Sequence, residues 1–211
     1  MKIYLGNNGH EEIYRDLDEV ENIVFCGTVA SGKTTYIERL LKEISENNTP
    51  DDVKVLIYDS KGADYYKYSK SPFLLFPITT DAKPNLFKTY LKAIQRTENS
   101  RKKSNDKKPT FIIFIDETST IAYKYHDFAK DVSEIMALSK DTNIHFVIAA
   151  QRAICLTKPI IEAAKTKICG SIYIEEDTEM MIGEKKEIVF KDSGDVLLSI
   201  GEEKMNVHLN K

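Results

Sequence analysis

Apolar runs of strand length alternate along this chain with segments whose apolar residues recur at helical spacing. NIVFCG (22–27), VKVLIYD (53–59), TFIIFIDE (110–117) and IHFVIAAQ (144–151) predict four strands. Each is apolar at consecutive positions, so neither face is left for water. TTYIERLLKEISEN (34–47) sets Ile37, Leu40, Leu41 and Ile44 on one helical face. PNLFKTYLKAIQRT (84–97) does the same with Leu86, Phe87, Tyr90, Leu91 and Ile94, and FAKDVSEIMALSK (128–140) predicts another helix. Strands buried on both sides and separated by helices imply an α/β fold with a mostly parallel central sheet flanked by helices. The tail changes rhythm. KICGSIYI (167–174), EIVFKD (187–192), GDVLLSI (194–200) and KMNVHL (204–209) predict strands with short turns. One should extend the main sheet, and the last should form a C-terminal β-hairpin at its edge.

Composition narrows the picture only a little. The 211 residues suit one domain spanning 1–211, and 42% are hydrophobic, enough for a sizeable core. Charged residues are 30% of the chain and nearly balanced, with a net charge of −3, so a nucleic-acid surface would have to be local. Cys26, Cys155 and Cys169 have no metal-ligand spacing and predict reduced core thiols in the cytoplasm. No apolar run approaches the length of a membrane span, and the first residues lack a signal-peptide core, which predicts no direct membrane insertion.

The chemistry concentrates in CGTVASGKTTY (26–36), which fits G-x-x-x-x-G-K-[ST] through Gly27, Gly32, Lys33 and Thr34. A strand precedes it and a helix follows, the order a phosphate-binding loop requires. Backbone N–H groups from Thr28, Val29, Ala30, Ser31, Gly32, Lys33, Thr34 and Thr35 are candidates to face phosphate oxygens, at the positive end of the helix. Lys33 brings a charge for the β and γ phosphates of ATP, and Thr34 a hydroxyl for Mg2+. FIIFIDET then delivers Asp116 and Glu117 to a strand end. Asp116 suits Mg2+, and Glu117 suits orienting an attacking water. In FVIAAQR the strand ends at Gln151, which is either a γ-phosphate or water sensor, or a polar residue facing solvent.

Taken in order, these segments resemble the motor domain of the FtsK/SpoIIIE and HerA superfamily of DNA-translocating ATPases. IYLGNNGHEEIYRDLDEVENIVFCGTVASGKTT looks like that family's lead-in and P-loop. VKVLIYDSKGADYYKY, FLLFPITTDAKP, IIFIDE, NIHFVIAAQRA and the closing GDVLLSI…NVHL are similar to its later motifs. The resemblance implies a P-loop NTPase fold of the RecA/FtsK type and a homo-oligomeric ring, a hexamer, with ATP between neighbours. Double-stranded DNA would run through its middle. It also implies Gln151 as the phosphate sensor and an arginine finger supplied by a neighbouring subunit. Ala30 stands where the family has glycine, Lys140 and Lys167 where it has arginine, and Ala153 where it has proline. Arg152, the only arginine in the last third of the chain, is the first candidate for the finger; a local salt bridge is the alternative. Lys165 and Lys167 are candidates for DNA phosphates, against a solvated strand edge. ENSRKKSNDKKP (98–109) reads as a solvated linker, with a DNA-facing loop as the sharper alternative.

A stand-alone motor of this kind fits viral genome packaging, where it would be virion-associated or in the host cytoplasm. It also fits plasmid or conjugative DNA transfer, with an accessory or portal protein as partner. The competing functions are a P-loop small-molecule phosphotransferase and a nucleotide-dependent switch. Asp116-Glu117, the Gln151 strand and the lack of an arginine-rich lid argue against the phosphotransferase. No N/T-K-x-D motif supports a GTPase switch, and Asp59 and Lys61 predict strand-end packing and local pairing rather than base reading.

Overall fold

The computed structural model describes residues 1–104 and 108–209. Four parallel strands form its centre: β3 (Ile23–Cys26), β4 (Val53–Asp59), β5 (Thr110–Asp116) and β6 (Ile144–Ala150), joined by β7 (Thr166–Cys169) alongside β3. They are the continuous apolar runs, and alternation explains why both faces had to be apolar. Val24 and Cys26, Ile113 and Ile115, and Phe146 and Ile148 pack on one side of the sheet. Ile23 and Phe25, Ile112 and Phe114, and Val147 and Ala149 pack on the other.

Two helices cover the second side: α1 (Leu17–Val20) and the amphipathic α2 (Lys33–Asn47), which buries Tyr36, Ile37, Leu40, Leu41 and Ile44. The first side is covered by α3 (Pro84–Arg101), α4 (Ser119–Lys124), α5 (Phe128–Met136), α7 (Ala153–Leu156), α8 (Lys158–Ala163) and α9 (Glu175–Ile182). The short α6 (Ser139–Thr142) leads into β6, and the αL residue Asn143 ends it. The expected helix over 128–140 is therefore two pieces.

The sheet continues past β7 with antiparallel strands β8 (Asp195–Ile200) and β9 (Glu203–His208), the expected C-terminal hairpin. That hairpin is not the sheet's edge. An N-terminal pair, β1 (Lys2–Asn7) and β2 (Glu12–Asp16), docks beyond β9 and gives the order β2-β1-β9-β8-β7-β3-β6-β5-β4. The added pair meets the hairpin at the end of β9, where Asn7 pairs with His208 and Gly6 presses on Val207.

Three further sequence expectations change. The strand over 167–174 stops at Cys169, because the next residue, Gly170, crosses against the loop after β3. EIVFKD forms no strand; its one pairing is the bridge between Ile172 and Ile188, and Val189 is exposed. Residues 98–101 of the basic linker belong to α3, where the buried Arg101 guanidinium donates to Thr142 O at 2.9 Å and Pro109 O at 2.5 Å. Residues 105–107 of that segment lie outside the described residues, so the DNA-facing reading of this loop does too.

Candidate nucleotide-binding site

Parallel strands bring their carboxyl ends to one rim, and the chemistry gathers there. Val29, Ala30, Gly32, Lys33, Thr34, Thr35, Asp59, Lys61, Asp64, Asp116, Glu117, Gln151 and Ser193 line one cavity, so the ends of β4 and β5 and the segments that follow β3 and β6 each contribute. Sequence positions more than a hundred residues apart meet because β3 sits between β6 and β7, while β5 lies between β6 and β4.

The loop after β3 is shaped by close packing. The Ser31 side chain wedges between Gly27 and Gly170, where a Cβ on either glycine would come within 2.6 Å of a Ser31 atom. Only hydrogen fits there. Gly32 enters α2 with φ 92°, and Ala30 takes a left-handed backbone with φ 64° despite its Cβ. Thr28 N–H donates to Ser171 O at 2.9 Å, and Ser31 N–H to Thr28 O at 3.3 Å. These two N–H groups hold the loop instead of pointing inward as expected: the chain after β7 takes the first, and a turn within the loop takes the second. Val29 stands exposed at the tip. The Ser193 hydroxyl donates to Ala30 O at 2.5 Å, tying the segment before β8 to the same loop.

Lys33 curls back into the loop. Its Nζ donates to Gly27 O at 2.6 Å, Thr28 O at 2.8 Å and Ser31 Oγ at 3.4 Å. Burial pushes its pKa down, against the opposing pull of the Asp116 and Glu117 carboxylates.

Thr34 Oγ1 donates to Asp116 Oδ2 at 2.8 Å, so a hydroxyl and a carboxylate converge at the helix start. Hard oxygen donors of this kind fit Mg2+ held beside phosphates. Among the described residues no cluster of three or more His, Cys, Asp or Glu side chains forms an all-protein metal cage.

Glu117, the next residue, takes φ 69°. Its N–H donates to Ala149 O at 2.9 Å, and its carboxylate accepts from Ser119 N at 3.2 Å and Gln151 N at 3.2 Å. The unfavourable backbone thus turns this side chain along the rim, toward the end of β6. Gln151 is exposed at the cavity, and its backbone rather than its side chain meets Glu117.

Arg152 lies next to the cavity but is engaged: its guanidinium pairs with the Asp177 carboxylate of α9. Asp177 is only 3% exposed, so this pair satisfies a buried charge. Lys165 precedes β7 at the end of the sheet opposite the cavity. It shares Glu21 with Lys140, at 3.2 and 2.9 Å. Burial alone would raise the Glu21 carboxyl; the two ammonium groups overcome it and hold it low. Lys167 is half-buried on β7, and desolvation lowers its pKa.

Three contributors escaped the sequence. Gly170 and Ser171 brace the loop from β7, a role no local pattern announces. Tyr65, fully buried, donates its hydroxyl to Asp116 Oδ2 at 2.7 Å. Burial and the adjacent carboxylate push its pKa far up, so it stays a donor. Its signal was the spacing in DSKGADY, where Asp59 accepts Gly62 N at 2.9 Å and Tyr65 N at 3.1 Å. Asp59 does pack at its strand end, and Lys61 pairs locally with Asp64 at 3.2 Å, as expected.

A glycine-bent loop after β3, a lysine and threonine opening a helix, and an acidic pair ending β5 define the P-loop ATPase fold. The chain belongs to the FtsK/SpoIIIE family, whose model matches residues 1–155. It is 21% identical over 181 residues to DNA translocase FtsK of Chlamydia trachomatis serovar D, covering 72% of this chain and 23% of that protein. It is 25% identical over 209 residues to DNA translocase FtsK of Clostridium tetani, covering 88% and 28%. The chain thus spans about a quarter of the length of these curated relatives. Among solved structures, ATPases 2 and 3 of EssC from Geobacillus thermodenitrificans match with a TM-score of 0.85 at 16% identity, over 98% of this chain and 44% of that one. The pCW3 conjugation coupling protein TcpA, solved with ATPgS, matches at 0.76 and 20% identity, over 98% and 65%. The genome packaging NTPase B204 of Sulfolobus turreted icosahedral virus 2, solved with AMPPCP, matches at 0.65 and 14%, over 90% and 97%. Among the described residues no helix is long and apolar enough to cross a membrane.

Proposed function

We propose that this chain hydrolyses ATP, with Mg2+, to move double-stranded DNA as one subunit of a ring, a hexamer. One observation carries the hydrolytic part: the Glu117 carboxylate is fixed at the cavity by Ser119 N and Gln151 N, one residue after the Asp116 that meets Thr34. A group that aligns water belongs in a hydrolase, whereas a phosphotransferase excludes water from competing with its acceptor. Thr34 and Asp116 would hold the cation, which neutralises developing phosphate charge when bound. The N–H groups opening α2 and the Lys33 ammonium would bind the phosphates. Gln151, at the rim beside Glu117, would report the γ-phosphate, and a neighbour's Arg152 would supply the finger once released from Asp177.

The DNA part draws on the family and on relatives named DNA translocases. Likeness to a conjugation coupling protein and a genome packaging NTPase supports two settings, plasmid transfer or viral packaging. The chain would work in the cytoplasm or with a virion, with an accessory or portal protein as partner.

The test is ATP hydrolysis with and without long duplex DNA, with Lys33→Ala as the blank. Stimulation by duplex, absent in Lys33→Ala, is the expected result, and duplex affinity should fall steeply with salt. Hydrolysis indifferent to DNA would leave the nucleotide site and remove the translocase. No hydrolysis in the parent chain, with ATP bound, would favour the switch.

A further inference from the structure

We infer that Tyr65 is a positioning residue for the divalent cation, its buried hydroxyl orienting the Asp116 carboxylate while Asp59 holds Tyr65 in place. The inference rests on reading the cavity as an ATP·Mg2+ site. Asp59 and Asp116 end adjacent parallel strands and are direct neighbours in register. Their side chains have divided the work. Both oxygens of Asp59 accept backbone N–H groups, from Gly62 and Tyr65, and so clamp the turn that follows β4. The clamp returns the chain so that the Tyr65 ring is fully buried and its hydroxyl reaches Asp116 Oδ2.

Thr34 donates to that same oxygen at 2.8 Å. Two donors on Oδ2 fix the plane of the carboxylate and leave Oδ1, which accepts no hydrogen bond among the described residues, for water or the cation. Any buried tyrosine hydroxyl needs an acceptor, and what sets Tyr65 apart is that its acceptor is a carboxylate lining the cavity. Tyr58 shows the contrast, since its hydroxyl donates to Asp81, outside the cavity lining. Outer partners of this kind govern how well a carboxylate holds its metal, and losing one typically costs about 10–100-fold in metal affinity.

The experiment is binding of a fluorescent ATP analogue, in EDTA and across a Mg2+ titration, to the parent chain, Tyr65→Phe and Tyr58→Phe. Phenylalanine keeps the ring and deletes only the hydroxyl. For Tyr65→Phe, affinity in EDTA should stay within about twofold, and the Mg2+ concentration giving half the metal-dependent gain should rise roughly tenfold. Tyr58→Phe should leave that midpoint where it was. Asp59→Asn, which keeps one acceptor, should shift it in the same direction by less. An unmoved midpoint in Tyr65→Phe overturns the inference, as does an equal loss of affinity in EDTA and in Mg2+, the mark of a merely structural role. If the parent chain binds no analogue, or binds it without regard to Mg2+, the reading of the cavity fails and the inference falls with it.

Discussion

Ala30 and Glu117 both carry left-handed backbone at the rim of the cavity, with φ 64° and 69°. A Cβ in that region costs about 1–2 kcal/mol. At Ala30 nothing in the side chain repays it, so glycine, which the family pattern has there, is the natural residue. Ala30→Gly should stabilise the chain by about 0.5–1 kcal/mol after the added freedom of the unfolded glycine is counted, read as a higher urea midpoint with unchanged slope. At Glu117 the strain aims a carboxylate, so the side chain rather than the backbone should be tested. Glu117→Gln keeps one of the two backbone hydrogen bonds and loses the base. It should retain ATP and slow hydrolysis about 10²–10⁴-fold, measured as nucleotide bound per subunit against turnover. Normal turnover in that variant would remove Glu117 from the chemistry.

The elements around the cavity are held to one another by charge as well as by packing. The Arg152–Asp177 pair links the start of α7 to α9, and it buries the aspartate far more than the arginine, 3% against 47% exposed. Arg152→Met alone leaves a buried carboxylate without its partner and should cost about 1–3 kcal/mol in thermal unfolding. Arg152→Met with Asp177→Met should recover most of that loss, because no uncompensated charge remains. The double variant also separates two roles. An arginine that only pairs with Asp177 regains ATPase activity along with stability. One that serves a neighbour's nucleotide regains stability alone.

Across the whole molecule, the end of the sheet opposite the cavity is a buried polar cluster. His145, wholly buried on β6, meets Glu21 O at 2.7 Å and Asn143 Oδ1 at 3.2 Å. Asn22 ties β3 to Met136 O at 2.9 Å and receives Phe146 N at 3.0 Å. Burial lowers the His145 pKa, although Asp18 and Glu21 pull the other way. The folded value is thus below the ordinary 6.5, and the unfolded chain takes up the proton first as pH falls. Stability from this group is complete above about pH 6.5 and declines below it, with a slope of at most about 1.4 kcal/mol per pH unit. His145→Gln should flatten that part of the pH–stability curve relative to the parent. Identical slopes would assign the acid sensitivity elsewhere. Lys165, engaged with Glu21 at this end, makes charge reversal there a test of stability before it is a test of DNA contact.

The α/β class, the central strands and the phosphate loop were legible in the sequence because they depend on local order: consecutive apolar residues buried on two faces, helical spacing on one face, glycines at fixed offsets. The same holds for Asp116 and Glu117, delivered by the strand they end. Partners chosen across the sheet were not legible. That β1 and β2 would dock beside the C-terminal hairpin, that Gly170 would press against Ser31, that Arg152 would be taken by Asp177 and Lys165 by Glu21, and that Tyr65 would reach Asp116 are facts of strand order and close approach. A strand's apolar pattern says that it is buried and on which faces. It does not say beside which strand, and that neighbour decides which polar side chains meet.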